Sequence, residues 1–189
     1  MASRSSALRK SPAKSKSAAK AKAPAKKAAR KTGKLPEWNL ADLYPAIDAP
    51  EVTRDLDKLD ADCVVFESAY KGKIAERVTQ PDGGEWLAEA IRSYESIDDL
   101  ATRLASFAQL AHAGNTVDAV ISKFYGDVSE RITAASTHLL FFALELNRVD
   151  DGVIERAMAV PSLGHYRPWI EDLRKDKPYQ LEDRVEQLF

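Results

Sequence analysis

Apolar positions along the chain recur at helical spacing from residue 50 onward. Val52, Leu56, Leu59, Cys63, Phe66 and Tyr70 follow one another at steps of 4, 3, 4, 3 and 4, so all six share one helix face. Arg54, Asp55, Asp57, Lys58 and Asp62 occupy the opposite, charged face. Pro50 suits a first turn, where its missing N–H is not needed, and Glu51 complements the helix dipole there. Gly72 is the predicted stop. Pro81-Asp82-Gly83-Gly84 reads as a turn. A second pattern runs through Trp86, Leu87, Ile91, Tyr94, Ile97, Leu100, Leu104, Phe107 and Leu110, predicting one long helix that ends before Gly114. Asn115 or Thr116 is the expected cap of a third helix, with Asp118 in its first turn. Its apolar positions extend to about residue 147, which predicts a rod of about 45 Å at 1.5 Å per residue.

Asp150-Asp151-Gly152 breaks that rod, and a short helix is expected over Val153 to Met158, stopped by Pro161. A loop or short helix follows through Gly164-His165-Tyr166-Arg167-Pro168-Trp169. Trp169 to Arg174 predicts one or two further turns, with Pro178 ending them. A helical pattern resumes over Leu181 to Phe189. No alternating run argues for a strand. The expected fold class is all-α: an antiparallel bundle or array of long helices. Trp86, Tyr94, Phe107, Phe124, Tyr125, Phe141 and Phe142 are its expected aromatic core. Val185, Leu188 and Phe189 begin an apolar face at the last residues of the sequence. A helix of one or two turns is unstable alone, because nucleation is costly. The expectation is that this chain is the front end of a longer polypeptide.

Charge divides the chain. Net charge is −1, yet residues 1–34 carry twelve Lys or Arg and no Asp or Glu. Residues 35–189 carry 16 basic and 29 acidic side chains, an excess of thirteen negative charges. The first segment consists almost entirely of Ala, Lys, Ser, Arg and Pro, with Leu8 its one large apolar residue after Met1. It lacks the apolar surface to offset its ordering entropy, so residues 1–34 are expected to be a disordered basic tail. Three roles are open to it: a solvated extension, a nonspecific nucleic-acid contact that neutralises phosphates, or a targeting segment. The last fits least well, since Lys dominates and no apolar face is present.

Several classes are excluded. One cysteine, Cys63, forms no internal disulfide and no thiolate cluster. The longest apolar run, Leu139 to Leu144, is six residues, far short of the ~20 of a membrane span. The N-terminal run has no apolar core of the secretory kind.

Trp38-Asn39-Leu40-Ala41-Asp42-Leu43-Tyr44, Phe66-Glu67-Ser68-Ala69-Tyr70-Lys71-Gly72-Lys73 and Ser93-Tyr94-Glu95 resemble, in order and spacing, the N-terminal part of oligoendopeptidase F and its relatives. So do Tyr166-Arg167, Leu173-Arg174 and Lys177-Pro178-Tyr179-Gln180-Leu181. These are thimet-oligopeptidase-like zinc metallopeptidases. Ala41 departs from the hydroxyl residue usual at its place. The resemblance spans residues 35–189. It implies a helical, cytoplasmic enzyme that cleaves short peptides inside a deep channel. It also implies one zinc, held by His-Glu-x-x-His and a distant Glu, with the first Glu as base for a zinc-bound water.

That motif is absent from the sequence. His112 precedes Ala113-Gly114, His138 precedes Leu139-Leu140, and His165 precedes Tyr166-Arg167. No catalytic or metal residue carries over. Residues 35–189 are therefore expected to be a non-catalytic helical wall or lid, inactive and zinc-free alone, whose partners are short peptides and a missing C-terminal catalytic domain. Tyr166, Arg167 and Trp169 are the substrate-channel candidates, with anchoring of their own loop as the plain alternative. The acidic excess either biases the channel toward basic or N-terminally charged peptides or forms an ordinary solvated face. Two readings of other classes are a helical adaptor whose basic arm binds nucleic acid and a self-associating bundle.

Overall fold

The computed structural model describes residues 38–182 and Val185. The basic tail of residues 1–34 lies outside the described residues. So does the helix expected over Leu181–Phe189, apart from Leu181, Glu182 and Val185. Among the described residues there is no strand, and the fold is all-α.

Three long helices make the body: α1 (Pro50–Tyr70), α3 (Gly83–Gly114) and α4 (Ala119–Ser136), with one turn, α2 (Ile74–Arg77), between the first two. Near the start of α1, Asp55 meets Arg103 late in α3, while Tyr70 at its end meets Trp86 at the start of α3. These two helices are antiparallel. Arg131 of α4 pairs with Asp57 and Asp60 of α1, and His138 just beyond α4 pairs with Glu67. Residue numbers rise together on both, so α4 runs parallel to α1 and antiparallel to α3. Val52, Leu56, Leu59, Cys63 and Phe66 are buried, as the spacing requires. Phe66 joins an aromatic cluster with Phe141, Phe142 and Tyr94 at centroid distances of 5.8, 5.1 and 5.9 Å. Burial of each such ring contributes about 1.5–3 kcal/mol. After Tyr70 the chain turns at Gly72, whose φ of +75° is left-handed backbone that favours glycine.

Several expectations are corrected. Asp55 is not on a solvated face: it is buried. Tyr44 Oη donates to its Oδ2 at 2.9 Å, Arg103 donates to the same oxygen at 2.5 Å, and Arg54 Nε donates to Oδ1 at 2.9 Å. Arg103 Nε also bonds Tyr44 Oη at 3.1 Å, and its guanidinium lies 5.2 Å from the Tyr44 ring centre. Burial alone raises the Asp55 pKa, but the hydrogen bonds from Arg54 and Tyr44 outweigh it and hold the group below its ordinary value. Burial, then the bond to Asp55, raises the Tyr44 hydroxyl. This knot ties the segment before α1 onto α1 and α3.

Gly83 and Gly84 are not loop residues but the buried first residues of α3. A Cβ on Gly83 would come within 2.3 Å of Val78 O, and one on Gly84 within 2.4 Å of Val160 Cγ2 and 2.7 Å of Ala157 O. The pair allows backbone approach rather than a turn. The third rod is two helices. After α4 comes a 3-10 turn, Thr137–Leu139, then α5 (Leu140–Arg148). Ser129, Thr133, Ser136 and Thr137 hydroxyls donate back to carbonyls three or four residues earlier. Such back-bonding bends helices. The cap of α4 is Asp118, whose Oδ1 accepts from the N–H groups of Val120 and Ile121. Tyr125 leaves the core and stacks at the surface on His112, centroids 4.9 Å apart.

Candidate functional site

The chain beyond α5 consists of short pieces. Asp150 caps α6 (Asp151–Ala157) by accepting from the N–H groups of Gly152 and Val153. Then come α7 (Pro161–Gly164), α8 (Arg167–Leu173) and a 3-10 segment, Arg174–Tyr179, with Pro178 inside it rather than ending the helical turns before it. None has a long apolar stripe, though Ile154, Leu163 and Ile170 are buried in the core. Polar side chains add to what fixes them.

Arg174 is the central one. Its Nη1 donates to Leu146 O at 2.5 Å, and its Nη2 donates to Val149 O at 2.7 Å and to Asp151. Lys177 reaches Val149 O at 3.2 Å and Asp151 Oδ1 at 2.7 Å. Gln180 Nε2 donates to Leu144 O at 3.1 Å. These side chains take up free carbonyls at the C-terminal end of α5, where cations also complement the helix dipole. Lys177 first, then Arg174, lowers the Asp151 pKa. The sequence singled out Leu173-Arg174 and Lys177 to Leu181 as motifs, and here they hold α5 to the last segment.

Tyr166, Arg167 and Trp169 lie together at the start of α8, and each is engaged. Tyr166 Oη donates to Glu95 Oε2 of α3 at 2.8 Å, and that bond raises its pKa. Arg167 Nη1 donates to Glu155 Oε2 at 3.1 Å and Glu171 Oε1 at 3.2 Å, with Glu155 the larger cause of its raised pKa. Trp169 is half-buried, 6.1 Å from the Tyr94 ring. The three residues join α8 to α3 and α6.

A hollow of about 360 Å³ lies between α5 and the Arg174–Tyr179 segment. Leu144 and Leu173 form apolar walls, Asn147 and Asp176 add polar ones, and Tyr179 and Gln180 complete the lining. Asn147 is buried, and its Oδ1 has no hydrogen-bond partner among the described residues. Asn147 and Asp176 were not singled out in the sequence. The available signal was Asn147 itself, a polar residue three and four places after Leu144 and Ala143 on an inward stripe. A second groove of about 430 Å³ separates α1 and α3, with Phe66, Ala69 and Ile97 in its lining and Asp62, Glu89 and Arg92 at its polar positions.

The histidines do not converge. His112 stacks on Tyr125, His138 Nδ1 lies 2.5 Å from Glu67 Oε2, and His165 meets the edge of Tyr166. Among the described residues no three His, Cys, Asp or Glu are grouped as a metal ion requires. The described residues therefore do not fit a zinc centre. Among them, no helix is long and apolar enough to cross a membrane.

Residues 145–189 match the peptidase M3 N-terminal family model, described as Oligopeptidase F. No curated protein and no solved structure matches the chain. The family match supports a peptidase-family segment, specifically an oligoendopeptidase F N-terminal region. It covers Asn147, Tyr166, Arg167, Trp169, Arg174, Asp176 and Lys177, and leaves the bundle before Glu145 outside it.

Proposed function

We propose that residues 35–189 are the helical wall of the substrate channel in an oligoendopeptidase F-like zinc metallopeptidase that hydrolyses short peptides in the cytoplasm. The observation that carries this reading is the family match over residues 145–189, the stretch in which Arg174, Lys177 and Gln180 fasten the last segment onto α5. In this reading zinc and its His-Glu-x-x-His ligands belong to polypeptide outside these residues. What the present residues do is shape: α3 and α5 form a rigid floor, and α8 sets Tyr166, Arg167 and Trp169 on its edge. The thirteen surplus negative charges of residues 35–189 favour peptides carrying positive charge.

The test is made on the protein as its source cell produces it. Antibody against the described bundle captures that protein, and the captured material is assayed on a quenched fluorescent peptide. Hydrolysis that a chelator abolishes and zinc restores is the expected result. Capture of a 20.9 kDa protein without such activity contradicts the reading.

The twelve cations of residues 1–34 favour a second, separate role as a nonspecific nucleic-acid contact. It calls for affinity that disappears with removal of residues 1–34 and falls steeply with salt.

A further inference from the structure

The hollow between α5 and the Arg174–Tyr179 segment holds one carboxylate and one buried, unmatched acceptor, beside the amide and hydroxyl groups of Gln180 and Tyr179. Asn147 Oδ1 is buried without a partner among the described residues. A buried acceptor left unmatched is costly, so one in a native structure calls for a ligand or another explanation. Asp176 is exposed and pairs with no cation among the described residues, where Lys175 pairs with Asp172 and Lys177 with Asp151. Gln180 Nε2 donates to Leu144 O, and its side-chain oxygen is an acceptor. Arg174 is engaged by Leu146 O, Val149 O and Asp151. Around these acceptors stand Leu144, Leu173 and the ring of Tyr179, which is 80% exposed.

We infer that this hollow binds a protonated amine carried next to an apolar side chain, as at the amino terminus of a short peptide. The ammonium group supplies the donors, Asp176 the opposite charge, Asn147 the buried acceptor, and the leucines and Tyr179 the apolar contact. A volume of about 360 Å³ is at the lower end of small-ligand sites and suits one or two residues rather than a folded partner. That the amine belongs to a peptide rests on the proposed function; the preference for an amine rests on the hollow alone.

The probes are leucinamide, its N-acetyl derivative and the tripeptide Leu-Ala-Ala, titrated into the full 189-residue chain while amide and side-chain NMR shifts are followed. Leucinamide and the tripeptide should bind saturably and shift the Asn147 side-chain amide. The acetylated probe should bind at least about tenfold more weakly, since it lacks the charge that makes the hydrogen bonds strong. Asp176→Asn, at an exposed position, should weaken leucinamide about tenfold with no change in thermal unfolding. Asn147→Leu should abolish binding while leaving the melting temperature unchanged or higher, because it removes the unmatched acceptor. A purely structural Asn147 would instead lower the melting temperature and leave affinity as it was. Equal binding of the acetylated probe, unaltered affinity in Asp176→Asn, or no saturable binding of leucinamide would overturn the site. Binding of leucinamide without the tripeptide would overturn only the peptide assignment, and the peptidase reading is tested separately by the captured native protein.

Discussion

The bundle of α1, α3 and α4 and the short pieces from α6 onward are held by different physics. In the bundle, long apolar stripes face one another and burial of rings and branched chains dominates. In the second region the helices are too short to carry a stripe: each buries an anchor such as Ile154, Leu163 or Ile170, and caps and cations on carbonyls add the rest, Asp150 on α6, Arg174 and Lys177 on the end of α5, Arg167 between Glu155 and Glu171. The family match falls on the second region. Apolar stripes are met by many sequences, whereas a guanidinium that must reach two particular carbonyls ties residue identity to place. Specific contacts of this kind leave a recognisable sequence, and generic packing leaves only a period.

The comparison is tested most severely where the regions meet. Phe142 on α5 is fully buried against Phe66 and Tyr94, so Phe142→Ala should cost about 4 kcal/mol in urea unfolding and loosen both regions together. Gly84→Ala forces a methyl against Val160 and the Ala157 carbonyl, and about 2–3 kcal/mol should be lost. Hydrogen exchange should show that loss first in α6 and α7. Within the bundle, Asp55→Ala should cost about 2 kcal/mol by removing the acceptor that Tyr44 and Arg103 share. Its effect belongs to α1, α3 and the segment before them. Arg174→Met keeps the stem and removes the donors. It should cost about 1–1.5 kcal/mol and raise exchange from α6 to the last described segment while the bundle stays protected. A uniform loss of protection in that variant would erase the distinction between the regions.

Acid gives the smallest effect. The Asp55 pKa is lowered in the folded chain, so its stabilisation is complete above the unfolded carboxylate value of about 4 and is lost as pH falls through the folded value. Unfolding followed from pH 6 downward should lose part of its acid dependence in Asp55→Asn. An identical profile for the variant would remove Asp55 from the account.

The difference between the regions also explains what was legible in the sequence. Val52 to Phe66 and the stripe of α3 followed from spacing, because a period of 3.6 is local information. Asp55 was misplaced for the same reason: periodicity puts it outward, and its partners stand 11 residues before and 48 residues after it. Gly83 and Gly84 looked like a turn because close backbone approach to Val160 is not visible in the local string. The break after Ser136 had a signal in Thr-Ala-Ala-Ser-Thr, a run able to bond back to its own carbonyls, but the unbroken apolar positions outweighed it. Of the site, the motif residues Tyr166, Arg167 and Trp169 were found and are adjacent, each occupied in holding α8. Asn147 and Asp176 were missed, since their meeting depends on how the Arg174–Tyr179 segment folds back on α5.

The central proposal is that these helices form the scaffold of a peptidase whose metal chemistry resides elsewhere in the polypeptide. Equilibrium dialysis of the metal-free 189-residue chain against zinc tests it most directly. The account predicts no stoichiometric zinc uptake and no peptide hydrolysis on addition of the metal. One zinc bound per chain, with hydrolysis that appears alongside it, would contradict the account.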